Sequence, residues 1–177
     1  MLMSPGVRKL ALTAHVISSV GFLGAVAAFF ALAVAGLTSQ EAPTVRAAYL
    51  AMELTAWYVI VPLSLASLVT GLVLSLGTTW GLFRHYWVVV KLLIAVPSAI
   101  VLLVHIQPIR FMARAAADST LSSADLSEVR VQLAAAAGAA LVVLVVATTL
   151  SVYKPQGMTR YGWRKQHDEH SAATLVN

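Results

Sequence analysis

Apolar residues fill four long stretches of this chain, and the charged residues gather mostly between them. The stretches cover about 10–37, 47–76, 86–106 and 131–152. The first and last carry no charged side chain, the second carries only Glu53, and the third only Lys91. A helix rises 1.5 Å per residue, so about 20 apolar residues cross roughly 30 Å of hydrocarbon, and each stretch is long enough. Barrel strands alternate polar and apolar positions and span in about 10 residues, a pattern absent here. The pattern predicts an all-α polytopic membrane four-helix bundle. Pro62 and Pro97 fall inside the second and third spans and are expected to bend them.

Composition fits this expectation. Of 177 residues, 59% are hydrophobic and 11% charged, with a mean hydropathy of +0.83. Soluble domains carry about 25% charged residues, so an ordinary water-soluble globule is excluded. The formal charge of +5 comes largely from short segments beside the apolar runs. That placement fits membrane orientation and argues against a nucleic-acid surface. The chain has no cysteine, which excludes disulfides, thiolate metal sites and cysteine nucleophiles. The first apolar run is longer than the core of a cleaved signal peptide, so it is read as a retained span.

Loop charges give the orientation. Arg8 and Lys9 precede the first span, Arg84 lies between the second and third, and Lys154, Arg160, Arg164 and Lys165 follow the fourth. On the other side, Arg46 is offset by Glu41, and Arg110, Arg114 and Arg130 by Asp118, Asp125 and Glu128. The bias puts both termini in the cytoplasm, with 154–177 as a basic cytoplasmic tail. The expected location is the bacterial inner membrane, with the lipid bilayer as the main partner. The longest connection, 107–130, carries cap signals at Ser123 and Ser127, and a short interfacial helix is expected there. The run Ala134–Ala137, followed by Gly138, Ala139 and Ala140, suits close helix packing.

Four residues inside the spans carry chemistry: His15, Glu53, Lys91 and His105. An ionisable group at the bilayer centre costs about 2.5–3.5 kcal/mol on insertion scales, so each needs a reason. Snorkelling near a helix end is the plainest reason. Depth separates them into an inner pair, His15 and Lys91, and an outer pair, Glu53 and His105. Lys91 and His105 lie close to four turns apart and share a face of the third span. A neutral imidazole is a good axial ligand for haem iron, and nearby Lys or Arg suits the propionates. The leading expectation is a b-type haem or porphyrin held by His15 and His105. Lys91 and Arg84 would serve inner propionates, and Arg46 or Arg110 outer ones. Aromatic and small residues at similar depths, including Phe22, Tyr49, Trp57, Tyr86, Trp87, Gly21 and Gly24, suit a flat macrocycle. His85 is expected to face headgroups, and His167 and His170 to be solvated. Two alternatives remain open: a non-haem transition-metal site using Glu53 with His105 or His15, which a homo-oligomer would complete, and an accessory subunit without chemistry.

Two stretches carry a resemblance. Lys9-Leu-Ala-Leu-Thr-Ala-His15, followed by Gly24, is similar to the first helix of HemJ-type protoporphyrinogen oxidases and of copper-resistance D-type membrane domains. Trp87-Val-Val-Val-Lys91-Leu-Leu, continuing to His105, resembles the third helix of the HemJ type. The resemblance implies a bound b-type haem, with His15 and Lys91 at the functional positions. The chain as a whole, including Tyr153-Lys-Pro-Gln-Gly157 and Tyr161-Gly162, also resembles an uncharacterised bacterial four-helix integral membrane family. That second resemblance implies location and topology without an activity.

Overall fold

The structure, a computed structural model, describes residues 3–77, 85–118, 125–153, 157, 159 and 163–164. Every regular element among them is helical: α1 (Pro5–Thr38), α2 (Ala42–Thr55), a π turn (Ala56–Ile60), α3 (Val61–Gly77), α4 (Tyr86–Ala117) and α5 (Asp125–Tyr153). Four helices are long and apolar enough to cross a membrane: α1, the continuous Ala42–Gly77, α4, and Leu126–Tyr153. The fold is an all-α four-helix bundle, as the sequence pattern requires. We call the end bearing Pro5, Gly77, Tyr86 and Tyr153 proximal, and the end bearing the α1–α2 turn distal.

Local chemistry sets the helix ends. Pro5 occupies the first turn of α1, where its missing N–H removes no helical bond. Ser39 closes α1 in extended conformation, its N–H donating to Ala35 O at 3.0 Å. Glu41 then caps α2, accepting from Thr44 Oγ1 at 3.0 Å, and Pro43 sits in the first turn. This tight corner leaves little unpaired backbone at the distal surface.

Each helix extends further than its apolar stretch. The distal extensions are amphipathic. On α4, Ile109, Met112, Ala113 and Ala116 are buried at helical spacing, while Arg114 and Ala117 are exposed. Leu126, Leu133, Ala134 and Ala137 form the matching stripe on α5. The expected 107–130 connection is therefore mostly helix, with 107–117 continuing α4 and 125–130 opening α5. Ser127 lies in the first turn of α5, and Ser123 lies outside the described residues. Pro108 lies within α4 beside Pro97. Packing of the residues just beyond Pro108 holds the helix together despite the lost backbone bond. Lys91 and Arg110 bracket a stretch of α4 about 28 Å long with no other charged group, close to one hydrocarbon thickness.

The buried core lies toward the distal end. It combines Val26, Phe29 and Ala33 of α1 with Val45, Tyr49 and Met52 of α2, and draws on Ile109, Met112 and Ala116 of α4 and Leu133 of α5. Toward the proximal end the buried set thins out. Ser64 is the one buried residue of α3, and Val88 the one buried residue of α4 before Ile106. The second span changes partners along its length: α2 packs on both α1 and α4, whereas α3 packs mainly on α1 and sparingly on α4. The change occurs at the π turn. Pro62 has no N–H to offer the Tyr58 carbonyl, and Val61 N–H reaches back to Ala56 O in the wider π pattern. π turns and prolines are recognised causes of helix bends.

Candidate functional site at the proximal end

His15 lies on α1 facing α3. Its Nδ1 is 3.1 Å from Ser67 O and 3.1 Å from Thr70 Oγ1, both across the helix interface. A main-chain oxygen only accepts. The Thr70 hydroxyl already donates to backbone, to Ala66 O at 2.6 Å and Ser67 O at 3.2 Å. Both partners therefore ask Nδ1 for a proton, which assigns the Nδ1–H tautomer. In the neutral ring that leaves the Nε2 lone pair available. The ring is seated against Gly71, where a Cβ would come within 3.1 Å of the imidazole Cε1. Nearby, Ser19 Oγ and Ser67 Oγ are 2.7 Å apart, and a Cβ on Gly21 would lie 3.2 Å from Leu63 Cδ1. Small residues thus let α1 and α3 approach where His15 sits.

Lys91 completes the cluster from α4. Its Nζ donates to Ser151 Oγ at 2.9 Å, and Ser151 in turn donates to Ala147 O at 2.8 Å. The ammonium lies 5.3 Å from the centroid of the Trp87 ring. His15 and Lys91 thus lie toward the same end of the bundle, His15 bonded to Ser67 and Thr70 of α3 and Lys91 to Ser151 of α5. Arg84, expected beside them, lies outside the described residues, as do His167 and His170. His85 serves α4 through its backbone, its carbonyl accepting from Val88 and Val89 N–H.

The outer pair takes other partners. His105 Nδ1 donates to Val101 O of its own helix at 2.9 Å, at a half-exposed position beside exposed Val101 and Val104. Glu53 faces Arg110, with Oε1 3.8 Å from Nε, and the Arg110 guanidinium lies 5.9 Å from the centroid of the Trp57 ring. Arg110 Nε is buried without a hydrogen-bond partner among the described residues. Further out, Tyr49 is packed into the core against Gly36, and Arg130 lies 5.7 Å from its ring centroid. His15 contacts Ser67, about 21 Å along the second span from Glu53, and Glu53 faces Arg110 beyond His105, so His15 and His105 stand toward opposite ends of the bundle. Among the described residues no group of three or more His, Asp or Glu converges in a way that could hold a metal ion.

Of the residues considered for lining a macrocycle, Trp87 accompanies Lys91, whereas Tyr49 and Trp57 belong to the distal half. Phe22 packs against the core, and a Cβ on Gly24 would meet nothing within 4 Å. Sequence reading did not single out Ser67, Thr70, Gly71 or Ser151. Ser64, Ser67 and Gly71 recur at helical spacing on one face of the second span, and that stripe was the available signal. No family pattern, curated protein or solved structure matches this chain.

Proposed function

We propose that this chain is a multi-pass protein of the bacterial inner membrane that holds one b-type haem at its proximal, cytoplasmic end. His15 would be the axial ligand, and Lys91, together with Arg84, would receive the propionates. One observation carries this reading: the Nδ1–H of His15 is engaged by Ser67 O on a neighbouring helix. That second-helix bond fixes the ring and strengthens Nε2 as a donor, as is usual for metal-bound histidine. The donor set suits the group: an imidazole seated against Gly71 and a cation beside Trp87 lie toward the same end of the bundle on separate helices. The resemblance of Lys9–His15 and Trp87–Lys91 to HemJ-type helices supports the same pair. When bound, a haem iron supplies one-electron redox chemistry.

A non-haem metal is the weaker reading. A closed site needs three or four protein ligands, and Glu53 and His105 are engaged by Arg110 and by the α4 backbone. The experiment is expression with added haem precursor, followed by an optical spectrum of the purified protein before and after dithionite. Haem bands at about one equivalent support the reading. Protein without a Soret band from haem-replete cells would overturn it.

A further inference from the structure

The second span is built in two parts held in different ways. Its distal part, α2, buries Val45, Ala48, Tyr49 and Met52 in the core and packs on two helices. Its proximal part, α3, buries only Ser64 and packs mainly on α1. Between them stand the π turn Ala56–Ile60 and Pro62, which interrupt the regular hydrogen-bond ladder. Near its proximal end α3 adds polar ties to its packing on α1: His15 Nδ1 to Ser67 O and Thr70 Oγ1, Ser19 Oγ to Ser67 Oγ, and Met3 N–H to Gly77 O. Large apolar residues of both helices, Val69, Val73 and Leu76 on α3 and Val90 and Leu93 on α4, are exposed.

We propose that Val61–Gly77 is a hinged flap, swinging about the π turn to open the seam between α3 and α4 to the proximal leaflet. The hinge lies where the regular backbone ladder is interrupted, the α3–α4 seam is sparsely packed, and hydrogen bonds to α1 latch the flap's far end. Such bonds contribute about 0.5–1.5 kcal/mol each. The latch is also the site. The same imidazole that ties α3 to α1 is the one read above as the haem ligand, and Lys91 stands on α4 with its Nζ bonded to Ser151 of α5. The ligand class that fits is a flat, lipid-soluble molecule with an anionic edge. It would arrive sideways through the leaflet, its apolar body passing Val73 and Leu93 and its anionic edge meeting Lys91. Closure would re-form the bonds by which Ser67 and Thr70 hold His15. This second half of the inference rests on the haem reading; the hinge does not.

The cysteine-free chain makes the test direct. Spin labels on Leu76→Cys and Leu93→Cys, both exposed, report the seam by pulsed electron–electron distance measurement on the full chain in lipid nanodiscs. Leu54→Cys with Phe111→Cys, also exposed, is the distal control pair. The flap predicts a broad proximal distribution without ligand, which narrows and shortens on adding haemin, while the distal pair stays narrow. Deleting Val59, which restores an α register through the π turn, should narrow the proximal pair without ligand. The double variant Ser19→Ala, Thr70→Val, which leaves the backbone intact, should lengthen it. A single narrow proximal distribution, unchanged by haemin and by both variants, would overturn the flap. If optical titration shows no haemin binding while the variants still move the proximal pair, the flap stands and the haem reading falls.

Discussion

The imidazole of His15 on α1 is hydrogen-bonded to the main-chain oxygen of Ser67 on α3, at 3.1 Å. Because the acceptor is backbone, the bond does not depend on the serine side chain. Ser67→Ala is therefore expected to weaken haemin binding only slightly, losing the 2.7 Å contact to Ser19 that helps latch α3. Thr70→Val removes the second Nδ1 acceptor while keeping its shape. It should weaken haemin binding up to tenfold, corresponding to about 0.5–1.5 kcal/mol for one hydrogen bond. Haemin titration of the two variants checks the difference. A larger loss in Ser67→Ala than in Thr70→Val would contradict the assignment.

Gly71 sits where a Cβ would reach within 3.1 Å of the His15 ring. Gly71→Ala should therefore move two readouts in opposite directions. Replacing a glycine inside a helix favours the helix by up to about 1 kcal/mol. The added methyl group presses on the imidazole and should lower haem occupancy. Thermal unfolding in detergent and the Soret-to-protein absorbance ratio report the two effects separately.

Lys91 presents a cation at the same end of the bundle as His15, placed by Ser151 and Trp87. Replacing it with Met keeps the stem and removes the charge. A charged hydrogen bond is worth about 1.5–3 kcal/mol, so Lys91→Met should weaken haemin binding roughly 10- to 100-fold. Lys91→Arg should retain most of the affinity. Equal binding by all three proteins would remove Lys91 from the site.

The sequence made the four spans legible because lipid demands long apolar runs with few exceptions. It did not reveal the distal extensions, for a physical reason. Residues 107–117 and 125–130 bury one face, with Ile109, Met112 and Leu126, and turn Arg114, Ser127 and Glu128 outward. Averaged along the chain, such a segment reads as a charged loop. His15 and Lys91 were legible because a costly residue at matching depth on two spans stands out against an apolar background. Their partners were not, since serine, threonine and glycine cost little in a membrane helix. The distal pairing of Glu53 with Arg110 depended on α4 continuing past Pro108, which the apolar run alone does not show.

Gly36 of α1 packs against the Tyr49 ring of α2 in the distal core. A Cβ on Gly36 would stand 2.9 Å from Tyr49 Cζ, and Tyr49 is 1% exposed, so the ring has little room to yield. Overpacking costs about 1–3 kcal/mol, and the gain in helix propensity offsets part of it. Gly36→Ala should destabilise the bundle by roughly 1–2 kcal/mol without altering the haem spectrum, because the core and the His15 cluster lie at opposite ends. Denaturant unfolding monitored alongside the spectrum tests this separation.

The central claim is that His15, and not His105, ligates a haem. The most direct measurement is the dithionite-reduced optical spectrum of the wild-type protein and of His15→Ala and His105→Ala, each expressed with haem precursor and compared at equal protein concentration. The account predicts haem bands in the wild-type protein and in His105→Ala, and their loss in His15→Ala with the helical circular dichroism retained. A wild-type protein without haem bands, or bands that persist in His15→Ala and vanish in His105→Ala, would contradict it.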